Sequence, residues 1–322
     1  GCIDTQKVHI SSAIASGYKY MLIVTSDEAK ARKMCDDASF FNKEAIYYPA
    51  KDAIFYSADV HGNQITGERL RCISRIINHS STGEGVLTVV TTMDGIADRL
   101  IPVERFKEAV ITLDYSSEIE PEKLAKKLVA MGFVRTGMVE DKGQFAIRGG
   151  IIDIFSYTDE APVRIELWDT EVDSIRMFDV ESQRSIERLQ SYSIFPATEY
   201  IFTEDELKNG LYNIKEECDR QLECFDYGKR KRTKEQIEAG NNLNKLVADV
   251  ERTGNYEKFT DTLVADTVGL AEYFPEENTL VVLDEPNRLK ECNELTLYEY
   301  NESMKNRLAA GYVLPSQTNK VK

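Results

Sequence analysis

The sequence has few of the residues from which metal centres and redox sites are assembled. It contains three histidines and six cysteines, and no two cysteines form a Cys-x-x-Cys pair. Local sequence therefore offers no zinc-ligand spacing, and such scattered thiols are typical of free cysteines in a reducing compartment. We expect the folded chain to hold no metal and no cofactor.

Long apolar runs and an excess of positive charge are also missing. No apolar stretch approaches the roughly 20 residues that a membrane-spanning helix needs, and the first residues lack the basic-then-apolar order of a signal peptide. We therefore expect a cytoplasmic protein. The net charge of −15 opposes tight general binding to nucleic acid, because that binding depends on clustered Lys and Arg.

Up to about residue 115, amphipathic helical patterns alternate with short, continuously apolar strands. Strands are predicted at residues 20–25, 45–48 and 86–91, and helices at residues 7–16, 27–41, 65–78 and 93–100. Continuously apolar strands separated by helices are typical of a parallel sheet covered on both faces. This part of the chain predicts an α/β domain of the nucleotide-binding type.

The first eight residues retain only part of a phosphate-binding loop. Against the pattern G-x-x-x-x-G-K-[ST], Gly1 and Lys7 are kept. Gln6 replaces the glycine that lets backbone N–H groups close on phosphate, and Val8 replaces the hydroxyl that would hold Mg²⁺. We interpret the loop as degenerate and predict no ATP hydrolysis by this chain.

The chain after residue 200 predicts further helices, at residues 204–209, 214–225, 234–250 and 262–273, and then a strand at residues 279–283. Asp284 and Glu285 follow this strand, as in a Walker B motif, whose carboxylates hold Mg²⁺ and orient water. Without a working phosphate loop, we interpret this pair as a relic at a strand's carboxyl end. The strand can rejoin the first α/β domain.

The middle of the chain, residues 143–183, predicts a meander of short antiparallel strands, because apolar–polar alternation there breaks three times at turn signals. In the strand Val163–Trp168 the period of two places Arg164, Glu166 and Trp168 opposite the core side. The neighbouring strand should point Gln144, Ala146 and Arg148 the same way.

Trp168 is the only tryptophan in the chain, and this parity places it on the polar face. A single exposed aromatic can be without function, since much of any folded surface is apolar. Tryptophan and arginine together, however, are the residues most enriched among binding hot spots. We interpret the face as a docking surface.

The runs FAIRGGIIDIF and PVRIELWDTEVDSIRMFDVESQRS resemble domain 2 of the bacterial transcription-repair coupling factors, a module shared with the repair helicase UvrB. Gly149-Gly150 and the run DVESQRS favour the coupling factors over UvrB. The resemblance implies that the domain docks UvrA through Arg148, Arg164 and Trp168, although phenylalanine is expected at the last position.

The resemblance also implies further partners. In the full-length family protein, an ATP-dependent DNA translocase, the docking surface is buried against the C-terminal domain until the motor acts. RNA polymerase and DNA would be bound by regions outside this chain.

Together these observations predict an α/β protein: a degenerate nucleotide-binding-type parallel-sheet domain, split between residues 1–115 and 200–322, with a small α+β domain inserted at residues 116–199 and built on an antiparallel sheet. The implied function is a non-catalytic adaptor that recruits UvrA to a stalled polymerase. The alternative is an ATP-dependent strand-separating enzyme like UvrB, which needs an intact phosphate loop and a full set of helicase motifs. A metabolic α/β enzyme would need a nucleophile, a base and an orienting group, and local sequence offers no such set.

Overall fold

The computed structural model describes residues 4–42, 44–51, 60–82, 85–226, 232–254, 256, 259–264 and 266–319. Gly1 of the predicted phosphate loop lies outside the described residues.

Helices and strands alternate in the first third of the chain, strands dominate the middle, and long helices dominate the last third. The helices are α1 Asp4–Ala15, α2 Glu28–Ser39, α3 Val60–Thr82, α4 Met93–Ala97, α5 Val103–Glu108, α6 Pro121–Ala130, α7 Glu204–Asp226, α8 Lys234–Thr253, α9 Thr260–Leu263 and α10 Pro286–Ala309. The strands are β1 Tyr20–Thr25, β2 Glu44–Tyr48, β3 Leu87–Thr92, β4 Arg99–Leu100, β5 Ile111–Asp114, β6 Val134–Arg135, β7 Gln144–Arg148, β8 Ile151–Phe155, β9 Val163–Trp168, β10 Glu171–Phe178, β11 Ser185–Arg188, β12 Ser191–Ile194, β13 Val268–Gly269 and β14 Thr279–Leu283.

Among the described residues, four parallel strands in the order β14-β1-β3-β2 form the sheet of the larger domain. Every residue of β1 and β3 is buried, because helices cover both faces. Val8 of α1 and Met34 of α2 pack on one face, while Leu70 of α3 packs with Leu22 on the other. Since β14 pairs with β1, the chain returns to its first sheet after the insertion, and the predicted split of this domain is confirmed.

A second sheet, in the order β11-β10-β9-β8-β7-β6, forms the small domain and is antiparallel except for the pairing of β6 with β7. One face packs on α6, where Leu124 and Leu128 join the core of the sheet. The opposite face is covered at one end, because Val139 packs there with Ala146 and Phe155. Ala146 has the predicted orientation, yet it is buried rather than exposed.

The two ends of this small domain meet where β5 pairs antiparallel with β12. Leu113 of β5 and Ile194 of β12 both lie in the core beneath α6. The strands that enter and leave the domain are therefore neighbours.

A cluster of buried charges joins the small domain to the parallel-sheet domain; we call Arg69, Lys51, Asp98 and Glu199 the Arg69 cluster. The fully buried Arg69 of α3 donates from Nε to Glu199 Oε1 at 2.6 Å and from Nη1 to Asp98 Oδ2 at 2.6 Å. Lys51 Nζ lies 3.2 Å from Glu199 Oε2. Burial acts to raise the pKa of Glu199, but Arg69 and Lys51 outweigh it and hold that pKa below its ordinary value. The exit of the small domain is thereby fixed to α3.

Two predicted helices are shorter than the sequence indicated. The prediction at residues 262–273 is wrong: α9 ends at Leu263, and β13 and a short 3₁₀ helix, Leu270–Tyr273, follow. The predicted helix at residues 93–100 ends at Ala97 because β4 pairs with β13. Pairing between distant segments has overridden local helix propensity at both places.

Candidate docking face and remnant nucleotide site

Trp168 stands at an open end of the antiparallel sheet. It is the last residue of β9 and is 80% exposed. The Gly149-Gly150 turn between β7 and β8 lies against this strand, and Leu167 N donates to Gly150 O at 2.8 Å. A Cβ on Gly150 would lie 2.9 Å from Leu167 O, so glycine is required for this close approach. The Trp168 indole lies between the Gly149-Gly150 turn and the turn at residues 169–170, and neither turn covers it.

Outward side chains around Trp168 form a strip across four strands, which we call the Trp168 face. Its members, assigned from strand register, are Arg148, Ile151, Glu166, Trp168, Glu171, Ser174 and Arg176. Glu166 accepts a hydrogen bond from Ser174 Oγ at 2.8 Å and forms an ion pair with Arg176. The two residues of the pair neutralise each other, and the register places the exposed Glu171 opposite Trp168, so Arg148 and Glu171 carry the remaining charges of this strip.

Arg148 and Arg164, which the sequence placed on the docking surface, are joined by an acid that the sequence reasoning missed. Register places Asp153 between them on neighbouring strands. Arg164 donates to Asp153 from Nε at 2.6 Å and from Nη2 at 2.9 Å, and Arg148 Nη2 donates to Asp153 Oδ2 at 2.6 Å. The sequence signal that could have indicated this contact is the single acidic residue within the apolar strand IIDIF.

The two arginines differ in exposure. The Arg164 side chain is 13% exposed, whereas that of Arg148 is 44% exposed. Arg164 also donates to Gln183 Oε1 at 2.8 Å and lies 4.2 Å from the centre of the Phe178 ring. Its hydrogen bonds to Asp153 raise the pKa of Arg164. Arg164 therefore lies beneath the Trp168 face, and Arg148 lies on it.

The predicted phosphate-loop lysine and the Walker B-like acids also come together. Lys7 Nζ of α1 lies 2.8 Å from Asp284 Oδ1 and 3.2 Å from Glu285 Oε1. Lys30 of α2, which the sequence reasoning missed, lies 2.5 Å from Asp284 Oδ2 and 3.3 Å from Glu285 Oε2. We call these four residues the lysine–carboxylate cluster.

The electrostatics of this cluster favour full ionisation of its members. The hydrogen bond to Asp284 raises the pKa of Lys7, and hydrogen bonds from Lys7 and Lys30 lower the pKa of Glu285. Burial acts to raise the pKa of Asp284, but the two lysines outweigh it and lower that pKa. Each oxygen of the Asp284 carboxylate is already paired with the ammonium group of a lysine.

The residues at this place do not fit magnesium and a nucleotide. Magnesium requires carboxylate oxygens and a hydroxyl that can face the phosphates. The Asp284 oxygens face Lys7 and Lys30, and Val8 is buried in the core against β1 and β3. Gln6 is exposed beside them on α1. We therefore treat the place as a remnant and derive no chemistry from it.

Two kinds of feature are absent from the part of the chain that the structure describes. Its helices include none that is both long and apolar enough to cross a membrane. Its histidine, cysteine, aspartate and glutamate side chains form no group of three that could hold a metal ion.

Comparison with known proteins gives matches over the small domain and over nearly the whole chain. Residues 111–200 match the family model of the UvrB interaction domain. The chain is 34% identical to the transcription-repair-coupling factor of Bacillus subtilis, over 97% of this chain and 26% of that protein. It is 30% identical to that of Staphylococcus aureus strain Mu50, over 94% of this chain and 25% of that protein. It thus spans about a quarter of the length of the curated relatives it matches.

Proposed function

We propose that this chain serves transcription-coupled nucleotide excision repair as an adaptor that docks UvrA. Nearly the whole chain is similar to about a quarter of the length of the transcription-repair-coupling factors, and its small domain matches the UvrB interaction domain. The observation that carries the proposal is the exposed Trp168 on the same face as Arg148, at the open end of the sheet that matches the interaction domain.

The Trp168 face has the composition of a small hot spot. A tryptophan buries about 150–250 Å² when it is enclosed, and an exposed arginine pairs well with carboxylates. We therefore assign Trp168 to an apolar pocket of UvrA and Arg148 to an acidic group beside that pocket. Arg164 supports the face from below, because its side chain is only 13% exposed and is enclosed by Asp153, Gln183 and the Phe178 ring.

The same face is proposed to have a second, competing partner. In a full-length protein, the C-terminal domain would cover it and exclude UvrA until the motor acts. Such a switch requires the two arrangements of the protein to differ in their affinity for UvrA. RNA polymerase and DNA are assigned to regions outside this chain.

We propose that the chain itself does not hydrolyse ATP. The lysine–carboxylate cluster supports this, since Lys7 and Lys30 occupy the carboxylate oxygens that a magnesium–nucleotide complex would use. A strand-separating activity like that of UvrB is accordingly disfavoured. A ligand at 100 times its dissociation constant adds about 2.7 kcal/mol to stability, so a melting temperature that rises with ATP and magnesium would contradict the assignment of the cluster as closed to nucleotide.

The adaptor role is tested by calorimetric titration of the chain with purified UvrA. We expect saturable binding, and we expect Trp168→Ala and Arg148→Ala each to weaken it by roughly 2 kcal/mol or more. Phe40→Ala and Arg135→Ala are matched controls: Phe40 is 84% exposed in the other domain, and the 47% exposed Arg135 side chain lies on edge strand β6, where it pairs with Glu122 of α6. Equal losses in the controls and the test variants would contradict the assigned face.

A further inference from the structure

Asp153 is a buried carboxylate on the side of the sheet that carries the Trp168 face. It is 1% exposed, and it accepts three hydrogen bonds from Arg148 and Arg164. A buried charge is stable only when it is paired and hydrogen-bonded, and these two arginines provide that pairing. One of them, Arg164, is itself largely buried, and the other extends to the surface.

The arrangement restricts the exposed guanidinium. An arginine on a surface strand can adopt many rotamers, and a partner must immobilise it at a cost in affinity. Asp153 Oδ2 holds Arg148 Nη2 at 2.6 Å, and Arg164, fixed in turn by Gln183 and the Phe178 ring, holds Asp153. Arg148 is thereby ordered before any partner arrives.

We propose that Asp153 is a positioning residue of the Trp168 face, which holds Arg148 in the orientation in which it meets its partner, with Arg164 as the support of Asp153. Neither residue needs to touch the partner. The inference rests on the proposed docking of UvrA, and it gives Arg164 a supporting role in addition to the contact that the resemblance implies.

The first test needs no partner. Guanidinium ¹H–¹⁵N NMR signals separate when the group is held and average when it rotates, and the Arg148 signals are identified by their loss in Arg148→Lys. We expect separate Arg148 signals in the wild type and averaged ones in Asp153→Asn. Arg148 signals that are unchanged in Asp153→Asn would overturn the inference, whether or not UvrA binds.

The second test is a double-mutant cycle for UvrA affinity. Asp153→Asn should weaken binding roughly 2- to 10-fold, the cost of immobilising one side chain, and Arg148→Ala should weaken it about 30-fold or more. In the Arg148→Ala background, Asp153→Asn should produce no further loss, because Asp153 acts through Arg148. An equal loss in both backgrounds, or none in the wild type, would refute the positioning role.

A further variant keeps the test valid if Asp153→Asn alone fails to fold. The double variant Asp153→Asn, Arg164→Gln removes both buried charges together, so only the exposed Arg148 loses its partner. It should fold and still show averaged Arg148 signals. Failure of the wild type to bind UvrA would defeat the proposed function, while the NMR result would still decide whether Asp153 orders Arg148.

Discussion

Substitution of Arg69 by methionine should destabilise the whole chain more than any surface change. Arg69 is fully buried and binds Glu199, Asp98 and the carbonyl oxygen of Pro49, the last at 2.8 Å. Without it, the buried Glu199 carboxylate remains beside Lys51. Breaking a buried pair by removing one partner costs about 3–5 kcal/mol, against a total stability of about 5–15 kcal/mol for a typical domain.

The assay is urea unfolding followed by circular dichroism, with the double variant Arg69→Met, Glu199→Gln as the control. The double variant removes the buried carboxylate as well as the arginine, so it should recover part of the lost stability. A loss below about 1 kcal/mol in Arg69→Met would refute the reasoning, because it would mean that solvent or a neighbouring group replaces the arginine. No recovery in the double variant would show that packing rather than charge is responsible.

Three further outcomes are expected. Arg105 lowers the pKa of Glu206 from 4.5 to about 2, so the pair stabilises the protein above pH 4.5, and this stabilisation is lost as the pH falls toward 2. In urea titrations between these pH values, Arg105→Ala should therefore lose less stability than the wild type. An equal loss in the two proteins would contradict the pairing. Gly150→Ala should cost roughly 1–3 kcal/mol in thermal unfolding because its Cβ would meet the β9 backbone, whereas Gly137→Ala, which meets nothing within 4 Å, should cost far less. Lys30→Ala removes one partner of a buried carboxylate and should cost about 1–3 kcal/mol; an unchanged melting temperature would argue against the lysine–carboxylate cluster.

Strand positions and face parity could be predicted because each depends on local pattern. The apolar runs of β1 and β3 reflect burial on both faces, and the alternation in β9 assigned Trp168 to the open side. The return of the chain to its first sheet was implied by the family resemblance together with the apolar run of β14, and the pairing of β14 with β1 confirms it, although Val281 and Leu283 are exposed. The domain boundaries and the roles of the docking residues remain predictions.

The remaining features depend on contacts between distant segments. Lys30 meets Asp284 only because α2 and the end of β14 converge in space, and no spacing in the sequence signals this. Strand parity correctly placed Arg164 on the outward side, but its burial follows from Asp153 and Gln183 packing around it. Parity specifies the side of a sheet, and it does not specify what covers that side.

The strand order β14-β1-β3-β2 also bears on the synthesis of the chain on the ribosome. The last strand of this sheet to be made pairs with the first, so one edge of β1 has no sheet partner until residue 283 has emerged. The strands of the small domain, by contrast, pair with near neighbours in sequence. Local pairings form early, and an unpaired apolar edge invites aggregation during synthesis. We expect the small domain, with its Trp168 face, to be complete before the parallel-sheet domain into which it is inserted.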